Sequence, residues 1–135
     1  MRLIFANKEY YMYFIQVENS GPIKIGISKD VKKRMGDLQV ANPFRLKLLY
    51  FTPCCKEDED SLHRILMKRK LNVRGEWFWP DEIIFQYIKG FKEIDKREGF
   101  DWENHKPEED LIDMRIGSKW WFDLPVNCEE ALNAI

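Results

Sequence analysis

No stretch of this sequence approaches the run of roughly 20 apolar residues that crosses a bilayer. The opening MRLIFANKEYY has neither the apolar core nor the small-residue cleavage pattern of a secretory signal. The expectation is therefore a cytoplasmic protein. Cysteine is scarce and unpatterned: Cys54 and Cys55 are adjacent and Cys128 stands alone. Three such residues make neither a disulfide framework nor metal-ligand spacing, and they fit reduced thiols in a reducing compartment. Internal repeats and low-complexity segments are absent as well. A formal net charge of −1 shows no excess of either sign overall, yet the charge is unevenly placed. Residues 1–80 carry 15 Lys+Arg against 9 Asp+Glu, whereas residues 81–135 carry 7 against 14. A basic first part and an acidic last part imply that only the first meets a polyanion; two ordinary solvated surfaces are the plainer alternative.

What is present is enough for one core. With 44% apolar and 14% aromatic content over 135 residues, the chain is expected to form a single domain with an appendage. Its strongest local signal is Tyr10–Ser28, where two runs rich in β-branched and aromatic residues flank the turn-forming Glu18-Asn19-Ser20-Gly21-Pro22. With Val17 paired to Pro22, antiparallel register sets Ile15 opposite Lys24 and Tyr13 opposite Gly26, so that Tyr13 and Lys24 share a face. Glycine inside a strand marks a close approach, here of the Tyr13 ring. Both faces of the hairpin are largely apolar, which calls for helices on both sides. Leu46–Thr52 reads as a third strand. The expected class is α+β, a three-stranded antiparallel sheet flanked by helices.

The helices carry the other chemistry. Ser28 or Asp30 can cap a helix over Val31–Val40, with Val31, Met35 and Leu38 buried and Arg34 at the margin of that stripe. A guanidinium there either snorkels to water or meets an anion. A second helix is expected over Glu57–Lys70. In it Glu59, Leu62, His63 and Leu66 recur at i, i+3, i+4 and i+7, which sets a carboxylate and an imidazole on an apolar stripe. A carboxylate on a core face needs a partner or a metal. Arg64, Lys68 and Arg74 continue this segment as basic positions and, with Lys32 and Lys33, are the candidate nucleic-acid contacts, though a charge run is more commonly a solvated face. Arg74-Gly75-Glu76-Trp77-Phe78-Trp79-Pro80 reads as a glycine turn leading into aromatics. A third helix starts at Pro80-Asp81, with Ile84, Tyr87, Ile88 and Phe91 on one side. Residues 97–135 are expected to be an acidic, helical or irregular extension, with short helices over Glu108–Arg115 and Cys128–Ile135. Trp120, Trp121 and Phe122 are too apolar to lie free, so the extension folds back on the 1–96 domain or joins a second copy as a homodimer.

Taken in order, these residues resemble the GIY-YIG nuclease superfamily. The resemblance rests on Tyr13, then Lys24-Ile25-Gly26 after ten intervening residues, Arg34 ten positions beyond Lys24, the Glu59-to-His63 segment, and Arg74-Gly-Glu76-Trp-Phe78. It spans about Tyr11 to Trp79 and is closest to a compact phage and bacterial branch. Two positions depart from the superfamily pattern: Tyr11-Met12-Tyr13 lacks the glycine that names the first motif, and Lys24 replaces the usual second tyrosine. Lysine there accompanies the Gly-Glu-Trp-Phe ending, which marks a variant active site.

The resemblance implies a metal-dependent endonuclease that hydrolyses DNA phosphodiester bonds using one divalent ion, Mg²⁺ or Mn²⁺, with no small-molecule cofactor. In that scheme Tyr13 accepts the proton of water if Lys24 and the metal lower its pKa, and Lys24 otherwise assists the leaving group or the phosphate directly. Arg34 holds nonbridging phosphate oxygens, and Glu59 binds the metal, with Glu76 as the alternative ligand. His63 contacts a phosphate or braces Glu59. Two other readings stand beside it: a nucleic-acid-binding module of the same fold that does not cut, and an interaction protein that docks through its acidic tail.

Overall fold

Alternation along the hairpin sorts its residues between two cores. In the computed structural model, which describes residues 9–18 and 20–102, β1 (Tyr10–Val17) and β2 (Ile23–Ser28) pair antiparallel with Tyr13 opposite Gly26 and Ile15 opposite Lys24. This is the register set by the turn: the Val17 N–H donates to the Pro22 carbonyl at 3.1 Å, and Ser20 adopts φ of 61°. The helix α1 (Val31–Val40) follows, with Asp30 rather than Ser28 as its cap; Asp30 Oδ1 accepts from the Lys33 N–H at 3.0 Å. Next come β3 (Leu46–Cys54), α2 (Lys56–Lys68), β4 (Asn72–Arg74), β5 (Trp77–Phe78) and α3 (Glu82–Arg97). α2 stops at Lys68, short of the expected Lys70, because Lys70 takes the left-handed φ of 57° that ends a helix.

Among the described residues the sheet has five strands, in the order β3-β1-β2-β5-β4, with every pairing antiparallel. The three-stranded expectation is corrected here. Arg74 to Trp77 forms a hairpin around Gly75, whose φ of 55° supplies the turn. Its strands of three and two residues are too short to show a period of two.

Met12, Phe14, Ile23, Ile25 and Phe78 point to one side, where Leu62 and Leu66 of α2 and Ile84 and Ile88 of α3 cover them. Tyr13, Ile15 and Phe51 point to the other, under Val31 and Met35 of α1. Burying large apolar side chains on both faces is what holds the three layers together, at roughly 1.5–3 kcal/mol per side chain before entropy is counted. Beyond α3, Phe100 and Trp102 return to the sheet. Their rings lie 5.8 and 5.0 Å from that of Phe51. Met1–Asn7, the expected helices at Glu108–Arg115 and Cys128–Ile135, and the Trp120-Trp121-Phe122 cluster lie outside the described residues. Among the described residues no helix is long and apolar enough to cross a membrane.

Two side chains fasten the layers by polar contacts. Gln39, 1% exposed, accepts from the Leu46 N–H and donates to the Phe44 carbonyl, both at 2.8 Å, and so closes the α1–β3 connection. Asp95 of α3 is equally buried, and its Oδ2 accepts from Tyr50 and Thr52 of β3 at 2.6 Å each.

Candidate active site

β5 is only two residues long, and this shapes the site. It pairs with β2 at Ile23 and Lys24 and then stops, so that among the described residues no strand pairs with the outer edge of β2 from Gly26 onward. Ile25 at the border has both its backbone groups occupied. Its N–H donates to the Glu76 carbonyl at 3.0 Å, and its carbonyl accepts from His63 Nε2 at 2.8 Å. Groups from the α1 face and the α2 face of the sheet meet around this gap.

From the α1 face comes Tyr13, 1% exposed. Its ring crosses over Gly26: a Cβ at that position would lie 2.4 Å from the phenol oxygen and 2.6 Å from Cζ, so only glycine fits without displacement. Arg34 on α1, exposed to solvent, donates from Nε to the Tyr13 oxygen at 3.4 Å. Lys24 is 8% exposed, with Nζ 5.6 Å from the centre of the Trp77 ring and 3.9 Å from Glu76 Oε1. The other oxygen of Glu76 is 3.1 Å from where a Gly26 Cβ would stand.

From the α2 face come Glu59 and His63, one turn apart on the helix. Glu59 is 8% exposed, and its Oε2 is buried with no hydrogen-bond partner among the described residues. Each of Glu59, His63 and Glu76 offers one potential ligand atom within 4.8 Å of the other two. Glu76 therefore touches both halves: the Tyr13–Gly26–Lys24 side through one oxygen or the other, and the Glu59–His63 side as a neighbour. Sequence reasoning names Glu76 only as an alternative metal ligand. Its central position follows from the β4–β5 turn, whose Gly75-Glu76 pair was the available signal.

Burial sets the proton affinities in this cluster. It pushes the Tyr13 phenol up, an effect that the Arg34 hydrogen bond only partly opposes, so the tyrosine is a neutral donor in the metal-free protein. Burial likewise lowers the Lys24 amine, with Glu76 pulling the other way. Glu59 is raised, first by burial and then by the Glu76 charge. Arg34 is held further up by its bond to Tyr13. In the metal-free protein, desolvation of the Tyr13 phenol outweighs the one cation that acts on it, the Arg34 guanidinium.

The remaining candidates are not gathered here. Lys32 and Lys33 are exposed on α1, while Arg64 and Lys68 are exposed on α2, across the sheet, and Arg74 is exposed on β4. A cavity of about 630 Å³ between α2 and α3, lined by Leu62, Ile65, Ile83, Tyr87 and Phe91 among others, contains none of the groups around Gly26.

Comparison with protein families matches the T5orf172 domain over residues 10–97, from the first residue of β1 to the last of α3. The chain belongs to the T5orf172 domain family. That domain is phage-associated and has a nuclease-type fold. All eight elements of the T5orf172 domain in this chain, and every group at the β2 edge, fall within the matched span. No curated protein and no solved structure matches the chain.

Proposed function

We propose that this T5orf172 domain is a divalent-metal-dependent endonuclease that hydrolyses DNA phosphodiester bonds at the β2 edge. The observation that carries the reading is the meeting, around Gly26, of a phenol, an amine and a guanidinium from one face of the sheet with the Glu59 carboxylate from the other. The GIY-YIG resemblance runs through the same four residues, Tyr13, Lys24, Arg34 and Glu59, so motif order and geometry support one reading.

Hydrolysis requires an activated water in line with the leaving oxygen, compensation of charge on the phosphate, and a proton for the departing alkoxide. The buried, unpartnered Oε2 of Glu59 beside the Glu76 carboxylate fits a divalent cation, Mg²⁺ or Mn²⁺, since a cation offsets both the desolvation and the mutual repulsion of these acids. Such an ion supplies a bound water of lowered pKa and neutralises phosphate charge. Arg34 uses Nε for Tyr13, which leaves its terminal amines for nonbridging oxygens. Because Tyr13 accepts that bond, its own proton is free to be donated to the attacking water or to a phosphate oxygen, and this orients either one. Lys24, its hold on the proton weakened by burial, is the better placed acid for the leaving oxygen. Lys32, Lys33, Arg64, Lys68 and Arg74 would hold flanking phosphates on the two sides of the sheet, giving binding that weakens with salt.

Incubation of the purified protein with supercoiled plasmid and Mg²⁺ or Mn²⁺ tests this. Open circles should form, chelator should abolish them, and Tyr13→Phe and Glu59→Gln should each lower the rate about 10²-fold or more. Binding of DNA with no cutting under either metal would overturn catalysis and leave a nucleic-acid-binding module.

A further inference from the structure

Two carboxylates and an imidazole approach one another at the β2 edge, and the imidazole has a defined tautomer. His63 Nε2 lies 2.8 Å from the Ile25 carbonyl, which can only accept. Nε2 is therefore the donor in this contact, and Nδ1 is the ring nitrogen left to face other groups. A backbone carbonyl fixing one ring nitrogen so that the other can ligate is the outer-shell arrangement of metal-binding histidines.

An acidic cluster alone carries no ion. Here the second observation is Glu59, 8% exposed, with an oxygen sealed from water and given no donor among the described residues. A bare, desolvated carboxylate oxygen is unfavourable, and a cation is the ligand that reverses this. Ligands at about 2.1 Å from one ion lie roughly 3–4.2 Å from each other. One ring nitrogen of His63 and one carboxylate oxygen each of Glu59 and Glu76 already lie within 4.8 Å of one another, so only a modest adjustment is needed to close them on an ion.

We infer that His63 joins Glu59 and Glu76 as a third ligand, so that the site selects a first-row transition ion such as Mn²⁺ over Mg²⁺ and ties α2 to the β4–β5 hairpin. This rests on the reading above that the cluster holds the hydrolytic metal. Imidazole nitrogen suits transition ions, whereas Mg²⁺ favours an all-oxygen shell that retains several waters. Glu59 and His63 belong to α2 and Glu76 to the turn between β4 and β5, so a shared ion closes the border of the gap beside Ile25.

The test uses the full chain and the metals alone. Calorimetric titration should give Mn²⁺ an affinity at least about tenfold above that of Mg²⁺. Bound Mn²⁺ should show ¹⁴N coupling by pulsed EPR, and at about a hundredfold excess over its Kd it should raise Tm by roughly 5–10 °C. His63→Gln keeps an N–H donor for the Ile25 carbonyl but loses the imidazole. It should abolish the ¹⁴N coupling and bring the two affinities within about threefold, while Glu76→Gln should weaken both ions. Equal affinity for the two metals in the wild type, bound Mn²⁺ without nitrogen coupling, or an unchanged ratio in His63→Gln would each overturn the inference. The two readings fail separately: Mn²⁺ selectivity without plasmid nicking removes the nuclease, and Mg²⁺-supported nicking without a nitrogen ligand removes the third ligand.

Discussion

Replacing Gly26 with alanine adds one methyl group at the centre of the site. The new Cβ would lie 2.4 Å from the Tyr13 oxygen and 2.6 Å from Cζ, where an ordinary contact is 3.4–4 Å. One of the two must move by about 1 Å. Tyr13 has little room, since it is 1% exposed and packs with Ile15, Val31, Met35 and Phe51 under α1. Overpacking of this kind costs about 1–3 kcal/mol. The reduced freedom of alanine in the unfolded chain returns about 0.4–1 kcal/mol, so the net loss should be about 1–2 kcal/mol. Equilibrium urea unfolding should show that loss as a lower midpoint with an unchanged slope. The nicking rate should fall about 10²-fold, because displacement of a positioned group by about 1 Å is worth that much. The control is a double-mutant cycle with Tyr13→Leu, which removes both clashing atoms. In that background Gly26→Ala should be close to neutral, giving a coupling of about 1 kcal/mol or more. A Gly26→Ala protein as stable as the wild type, or equally destabilised with and without the tyrosine, would refute the reasoning.

Other expectations follow from the same contacts. Glu59→Gln should stabilise the metal-free protein by about 1 kcal/mol, read by thermal melting, because it removes a buried charge without a partner; it should also eliminate stabilisation by divalent metal. The pH dependence has a fixed sign. Glu59 has a higher pKa folded than unfolded, so protonating it stabilises the fold, and this contribution is lost as pH rises through the raised folded value. The advantage of glutamine should accordingly be largest near neutral pH and shrink on acidification. Tyr50→Phe should cost about 2 kcal/mol in urea unfolding, since it removes a 2.6 Å donor from the buried Asp95. Removing residues 103–135, which hold eight acidic against three basic side chains, should raise DNA affinity in a filter or anisotropy assay if that segment shields the basic part. Unchanged or weaker binding would reject shielding. The cut belongs after Trp102, because Phe100 and Trp102 pack against Phe51 and a cut at 97 should lower Tm.

The hairpin was legible in the sequence because a single turn and a period of two determine it: Val17 at Pro22 forces Tyr13 onto Gly26. Glu59 and His63 were legible for a similar local reason, since a spacing of four on a helix places them one turn apart on the same stripe. The helix α1 ends where Asn42-Pro43 said it should, at Val40. The gap at the β2 edge was not legible. It exists because β5 is two residues long, and no periodicity can show where so short a strand stops. The role of Glu76 was hidden with it, because its neighbours Lys24, Glu59 and His63 are brought to it only by the pairing of β5 with β2. The Asp95 cluster joins residues 43 and 45 positions apart and leaves no local pattern at all.

Groups from opposite faces of the sheet share one small site only if the open edge of β2 is a passage between them. A crystal of the full chain soaked in Mn²⁺ and measured at the manganese edge tests this most directly. The account predicts one anomalous peak within bonding distance of Glu59 Oε2 and Glu76, beside Gly26 and the Tyr13 oxygen. Manganese bound elsewhere, with the Glu59 oxygen still buried and unpartnered, would contradict it.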